Sequence, residues 1–333
     1  MDVLVRASRE RSSAARRRRH HGRPGDAGEV AEPRMRIEMP PSRFADLDGP
    51  VHYVEWDGPP GRTFVLVHGL GGSLLSWLAV APGLARHGRV LAMDLQGFGR
   101  TERNGRRSRV RDLRGTVSRF VDEVAGGGPV VLVGNSMGGG ISMLEAALEP
   151  AAVEALVLSN SVFPWKRGSS LPAPIVMVGF ALYELPRVGE WASRQRVTRL
   201  EAERAVELGL RIIAADPSTI PDELVRLHVE QLVRHQQNPD GGAAFLEAAR
   251  SLLALGRRRD VVRWIVGSVK CPVLVVHGRE DRLVPLGFAL GALELRPDWD
   301  MRLIPKVGHV PQMEAPDRWL AAVEGWLAEL PSA

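Results

Sequence analysis

A single cysteine, Cys271, is all the thiol chemistry in this chain, which excludes an intramolecular disulfide and with it a disulfide-stapled extracellular scaffold. Beside Pro272 at the start of an apolar run it reads as a small core residue, and the expectation is a cytoplasmic protein. Lysine is nearly absent too: only Lys166, Lys270 and Lys306 occur, and the other 41 basic residues are arginines, as GC-rich coding produces. No apolar run approaches the ~20 residues that span a bilayer; the most suspicious, Ile175 to Tyr183, is too short and follows Pro172 and Pro174. The nine histidines are scattered without paired spacing, so no metal-ligand cluster and no metal are expected. Neither Gly-Lys-Ser/Thr nor G-x-G-x-x-G accompanies the glycine-rich turns, which argues against a phosphate or dinucleotide loop and leaves no cofactor implied.

The 333 residues, 44% of them hydrophobic, suffice for a large globular core. The formal charge of +5 is unevenly placed, because residues 1–34 hold nine arginines against five acids. This stretch, with Arg16 to Arg19 followed by His20 and His21, lacks apolar periodicity and the apolar core of a secretory signal. A disordered, solvated tail is predicted. The rest of the chain is close to neutral, so the folded body is not expected to bind nucleic acid. Arg103 to Arg111 carries five arginines but no interleaved aromatics for base stacking, and reads as a solvated face.

Around Ser136 the sequence runs Pro-Val-Val-Leu-Val-Gly-Asn-Ser-Met-Gly-Gly-Gly from Pro129 to Gly140. Val130 to Val133 are apolar without alternation, as in a parallel strand buried on both faces. Met137 to Leu148 follows as a helix, with Ile141, Leu144 and Leu148 at helical spacing and Pro150 as its stop. Gly134, Ser136 and Gly138 fit G-x-S-x-G, a strained turn that lifts the serine hydroxyl clear of the sheet at a helix N-terminus. Unpaired N–H groups there can stabilise a developing oxyanion.

Strands are predicted at Val51–Trp56, Thr63–Val67, Val90–Met93, Val153–Leu158, Pro272–Val276 and Met301–Ile304, with helices at Ser76–Arg86, Asp112–Val124 and Pro316–Leu330. The second strand runs into His68-Gly69-Leu70-Gly71-Gly72, whose glycines let backbone N–H groups point off the sheet edge. Leu70 and Met137 then offer the best oxyanion donors, and His68 reads as a brace for this loop. Asp94 opens a Gly-rich loop before the nucleophile and reads as a loop-bracing carboxylate. From Ser161 to about Val269 the alternation stops, and Glu201–Ala214, Pro221–Gln236 and Ala243–Leu255 read as helices. That is too long for a connection and predicts a helical insertion over the functional edge. Phe163, Trp165, Met177, Phe180, Tyr183 and Trp191 are candidates to line an apolar pocket there.

Ser136, Asp281 and His309 each fall in a loop beyond a predicted strand's C-terminal end, where open parallel sheets gather their active groups. A serine needs a base for its proton, and an imidazole needs a carboxylate to hold its tautomer. Glu280, the neighbour of Asp281, leaves the choice of acid open. With His68-Gly69-Leu70-Gly71-Gly72, the Asp94 to Gly99 loop, the Ser136 elbow, His277-Gly278 through Asp281 to Val284-Pro285, and Gly308-His309, the chain resembles the α/β-hydrolase superfamily from roughly Val51 to Leu330.

The resemblance implies an α/β fold: a mostly parallel central sheet flanked by helices, with residues 35–160 and 270–333 as the core and 161–269 as an inserted helical cap. It implies Ser136 as nucleophile, His309 as general base and then acid, and Asp281 as the orienting carboxylate. A serine argues against the aspartate-nucleophile dehalogenase and epoxide hydrolase branches. The expected activity is hydrolysis of a carboxylic ester of an apolar acyl or aromatic group, through an acyl-enzyme on Ser136. The Gly-Asn-Ser-Met-Gly-Gly elbow is also similar to carbon–carbon bond hydrolases of aromatic ring-fission products, although Leu70-Gly71-Gly72 departs from their usual His-Gly-Ser/x-Gly-Pro-Gly loop. A perhydrolase or cofactor-free haloperoxidase would use the same triad. A noncatalytic ligand-binding protein on this fold is the non-enzyme alternative.

Overall fold

The computed structural model describes residues 37–164, 168–198, 200–237 and 241–330. The basic tail at 1–34 lies outside them. Eight strands form one sheet: β1 (Arg43–Asp46), β2 (Pro50–Trp56), β3 (Arg62–Val67), β4 (Gly88–Met93), β5 (Val130–Asn135), β6 (Val153–Ser159), β7 (Val273–Gly278) and β8 (Asp300–Ile304). Their spatial order is β1-β2-β4-β3-β5-β6-β7-β8, and every pair from β4 to β8 is parallel, while β1 and β2 pair antiparallel at one edge. The predicted mostly parallel sheet is therefore present, with β1 as an addition. Its four residues are too polar to signal a strand, and it forms because Asp48 and Gly49, both at positive φ, reverse the chain onto β2.

Side-chain alternation divides the core into two layers. Val130 and Leu132 of β5 enter one, and Val131 and Val133 the other; Val65 and Val67 of β3 oppose Phe64 and Leu66 in the same way. All eight are fully buried or nearly so, and each contributes roughly 1.5–3 kcal/mol relative to exposure. The helices preceding the insertion are α1 (Ala81–Leu84), α2 (Val110–Glu123) and α3 (Met137–Leu148). The helix expected over Ser76–Arg86 is broken into 3-10 turns on either side of α1. Pro82 has no N–H to carry the ladder, and Gly83 lies under Leu320, whose Cδ1 would be 2.5 Å from any Cβ there.

Among the described residues six α-helices separate β6 from β7: α4 (Pro174–Glu184), α5 (Val188–Thr198), α6 (Ala202–Ile213), α7 (Asp222–Gln236), α8 (Gly241–Arg257) and α9 (Arg259–Ser268). Of these α9 packs on α3, with Ile265 and Val266 in the same layer as Ile141. The chain ends with α10 (Gly287–Leu295), α11 (Pro311–Glu314) and α12 (Pro316–Leu327), the last burying Trp319 and Trp326 in the second layer. Cys271 is partly buried, and burial pushes its thiol up to about 11. Among the described residues no helix is long and apolar enough to cross a membrane, and no group of His, Cys, Asp and Glu gathers to hold a metal.

Candidate active site

β5 occupies the middle of the sheet, and Ser136 follows it directly as the N-cap of α3, at φ 54° and ψ −117°. A non-glycine residue at positive φ is strained, and its neighbours have to allow the turn. A Cβ at Gly134 would lie 2.5 Å from Gly139 Cα, and one at Gly138 only 2.2 Å from the Val67 carbonyl oxygen. The turn is thus closed by backbone on both sides, which is why both positions are glycine. The Ser136 N–H donates to the Ser159 carbonyl at 3.1 Å, tying the turn to the end of β6.

The loop after β3 lies against this elbow. A Cβ at Gly69 would be 3.2 Å from Ser136 Cβ, so the segment carrying Leu70 runs beside the serine. His68 is fully buried and locks the loop: its Nδ1 bonds the Gly69 carbonyl at 2.8 Å, and its Nε2 accepts from the Leu95 N–H at 3.1 Å. The tautomer is fixed by these partners, and burial lowers its pKa against the pull of Asp94. The Met137 N–H is at the first helical position, where no intrahelical partner exists.

Asp281 and His309 meet after β7 and β8. His309 Nδ1 is 2.7 Å from Asp281 Oδ2, with both side chains buried. The other carboxylate oxygen accepts the N–H groups of Leu283 at 2.8 Å and Val284 at 2.9 Å. Burial pushes the Asp281 carboxyl up, but the charge and hydrogen bond of His309, with help from His277 and Asn160, outweigh it and hold the group below its ordinary value. Glu280 faces elsewhere, accepting the Val307 N–H at 3.1 Å. Asn135, next to Ser136, donates from Nδ2 to the His309 carbonyl at 3.2 Å, which brings the serine turn and the histidine loop together.

Two residues have roles in this arrangement that sequence reasoning does not reach, Asn160 being excluded there only as the acid of the triad. Asn160, at φ 44°, donates to Asp281 Oδ2 at 2.6 Å and to the Gly308 carbonyl at 3.2 Å, while its Oδ1 accepts the Gly278 N–H at 3.0 Å. Glu314 accepts from the N–H groups of Gly308 and Val310, which flank His309, and from Ala215 just beyond α6. Burial raises the Glu314 carboxyl in spite of these donors. The His309 N–H itself donates to the Ile213 carbonyl at 2.7 Å, at the end of α6.

The aromatic candidates are spread out. Phe163 is buried against Trp299, with ring centroids 6.3 Å apart. Phe180 and Tyr183 stand half-buried on α4 in edge contact, and Tyr183 also meets Phe245 of α8 at 5.2 Å. Met177 and Trp191 are exposed, and Trp165 lies outside the described residues.

A family model for the alpha/beta hydrolase fold matches residues 62–316. The chain is 28% identical over 282 residues to the dihydrolipoyllysine-residue acetyltransferase component of an acetoin cleaving system from Pseudomonas putida, covering 84% of this chain and 67% of that protein. It is 30% identical over 287 residues to a 2-hydroxy-6-oxo-2,4-heptadienoate hydrolase, also from Pseudomonas putida, covering 80% and 90%. Among solved structures, a meta-cleavage product hydrolase from Pseudomonas fluorescens IP01 superposes with a TM-score of 0.66 at 22% identity, covering 88% of this chain and 99% of that one.

Proposed function

The chain belongs to the alpha/beta hydrolase fold family, and from that premise we propose that it is a serine hydrolase cleaving a carbon–carbon bond in a ring-fission product of aromatic catabolism. The observation that carries the chemistry is the 2.7 Å contact of His309 with Asp281 beside the strained Ser136 turn. With Nδ1–H committed to Asp281, Nε2 is the basic nitrogen and takes the Ser136 proton as Oγ attacks the substrate ketone. The N–H groups of Leu70 and Met137 receive the oxyanion. With the dienol first ketonised at C2, the carbon–carbon bond then breaks with its electron pair delocalised through the remaining alkene onto that carbonyl as a dienolate, which His309 protonates. Water, activated by the same imidazole, releases the acyl group from Ser136.

The choice of bond is supported by the 30% identity to a dienoate hydrolase across 90% of that protein. The helices between β6 and β7 serve in this reading as a cap: the Ala173 N–H bonds the Arg282 carbonyl, Ile213 holds His309, and a Cβ at Gly97 would meet Ala244 at 2.4 Å. All three contacts fall on loops at the C-terminal edge of the sheet. Phe180 and Tyr183 are the apolar wall on the cap side.

Ester hydrolysis is the second reading, favoured by Leu70-Gly71-Gly72 where carbon–carbon hydrolases carry a different loop. A conjugated dienoic ring-fission substrate, whose colour is lost on cleavage, assayed beside 4-nitrophenyl esters of graded length separates the two. The carbon–carbon reading expects kcat/KM on the dienoate to exceed that on any ester by about 100-fold, a gap of ~2.7 kcal/mol in transition-state binding. Esters turning over as well or better would overturn it.

A further inference from the structure

A second serine, histidine and aspartate stand in line near the other edge of the sheet, at β1 and β2. His52 lies on β2 and Asp94 follows β4, and both are buried. His52 Nδ1 is 2.7 Å from Asp94 Oδ2, and His52 Nε2 is 2.9 Å from the Oγ of Ser42. Ser42 is exposed immediately before β1, and its Oγ accepts a hydrogen bond from Arg100 Nη1 at 2.7 Å.

These groups orient one another's protons. A carboxylate only accepts, so Nδ1 of the imidazole carries the hydrogen that faces Asp94 and the neutral ring presents a bare Nε2. A guanidinium only donates, so the Ser42 hydroxyl hydrogen turns away from Arg100 and toward Nε2. The hydroxyl therefore has a base for its proton on one side and a fixed positive charge for its oxygen on the other, the two conditions that activate a serine. Asp94 is held for this task by the Leu74 N–H on Oδ1 at 2.8 Å and the Arg100 N–H on Oδ2 at 2.9 Å. Loop bracing accounts for Asp94 and His52, but not for an exposed hydroxyl aimed at the free ring nitrogen with a guanidinium on its oxygen. A cavity of about 60 Å³ adjoins the array, lined by His52, Asp94, Arg100, Leu74, Leu75 and Leu227 among others. A space this small favours a short acyl group over a long chain.

We propose that Ser42 is a second reactive serine, separate from Ser136, that takes a short acyl group from an activated ester. Its Oγ bonds to the carbonyl carbon as its proton passes to His52 Nε2. The tetrahedral oxygen develops its charge beside Arg100. The bond to the leaving aryl oxide then breaks with its electron pair on that oxide, and the imidazolium returns its proton to water. The product is an O-acyl serine on the full chain.

The test uses the full-length Ser136→Ala protein, so that the outcome does not depend on the function assigned to Ser136. It is incubated with 4-nitrophenyl acetate, and nitrophenolate release, intact mass and the modified peptide are measured. One acetyl group per chain on the peptide containing Ser42 is expected, absent from Ser136→Ala/Ser42→Ala and formed at least tenfold more slowly in Ser136→Ala/Arg100→Gln. The octanoate ester should modify Ser42 at least tenfold more slowly than the acetate. An unmodified Ser42 peptide, or acetylation confined to Lys166, Lys270 and Lys306 and unchanged in Ser42→Ala, would overturn the proposal. Equal rates with octanoate would overturn the restriction to short acyl groups.

Discussion

Both carboxylate oxygens of Glu314 lie 3.0 Å from the backbone nitrogen of Gly308, the residue before His309. One of those oxygens also takes the Ala215 N–H at 2.8 Å, so a single side chain joins the histidine loop to the segment that follows α6. Hydrogen bonds to a charged group contribute about 1.5–3 kcal/mol, and a displacement of ~1 Å near the reacting atoms can cost about 100-fold in rate. Glu314→Gln is expected to lower kcat by about 10- to 100-fold with KM within about twofold, because the imidazole loses its placement while the substrate's contacts remain. Steady-state kinetics on the dienoate or the best ester checks this; a change confined to KM would show that Glu314 serves substrate binding instead.

Asn160 acts on the acid rather than on the base. Its amide is one of the donors that keep Asp281 below its ordinary value, and its φ of 44° is one that asparagine tolerates better than alanine. A carboxyl depressed in the folded state contributes stability above its unfolded value of ~3.9, and that stability is lost as pH falls through the folded value. Asn160→Ala removes one donor, so the folded value rises and the acid-side loss begins at higher pH. Melting curves from about pH 6 to about pH 3 are expected to show that upward displacement on top of a pH-independent loss of a few kcal/mol from the unpaired Gly278 N–H and the strained backbone. Parallel curves for the two proteins would remove Asn160 from the support of Asp281.

What was legible in the chain follows from range and chemistry. Val130 to Val133 and Val153 to Leu158 announce buried strands because nothing polar interrupts them. Ser136, Asp281 and His309 announce themselves because glycines and turn residues mark where those strands end. Asn160 and Glu314 carry no such mark, since Asn160 works through the Asp281 carboxylate 121 residues away, and Glu314 through backbone N–H groups that any residue would supply, that of Ala215 lying 99 residues away. Helix α4 was hidden for another reason: Pro-Ile-Val-Met-Val-Gly-Phe-Ala-Leu-Tyr-Glu is apolar nearly all round, with only Val176 fully buried, so no periodic stripe separates helix from strand. The single helix expected over Ser76–Arg86 failed because Pro82 and the crowding of Gly83 by Leu320 are local and tertiary constraints that outweigh the apolar spacing.

The geometry also separates two adjacent acids. Asp281 contacts His309, and Glu280 contacts the Val307 N–H. Asp281→Asn is expected to keep the fold and lower turnover by up to about 10⁴-fold, the loss known for the corresponding change in a serine protease triad. Glu280→Gln should cost less than about tenfold. Turnover and near-ultraviolet circular dichroism on both variants decide it, and comparable losses in the two would mean that the loop as a whole, rather than the Asp281 carboxylate, sets the imidazole.

His277 gives the fold an acid sensitivity that the active groups do not account for. The ring is fully buried, with Nε2 on the Val284 carbonyl at 3.1 Å and no partner for Nδ1 among the described residues. Burial pushes its pKa down to about 4 despite the raising effect of Asp281, and the proximity of His309 depresses it further. The folded state thus holds the ring neutral, whereas the unfolded chain accepts a proton near ~6.5. As pH falls below ~6.5 the unfolded state binds the proton first, so stability declines until the folded ring itself titrates near 4 and is flat below that. The shift corresponds to a loss of about 3 kcal/mol across the window, to order of magnitude. His277→Gln keeps an N–H for Val284 and removes the titration. Urea unfolding at stepped pH is expected to show a shallower decline for this variant between about pH 6.5 and about pH 4, even if its stability at neutral pH is lower. Equal slopes would mean that the ring is protonated in the folded protein, and Nδ1 would then need an acceptor on the Asp281 side.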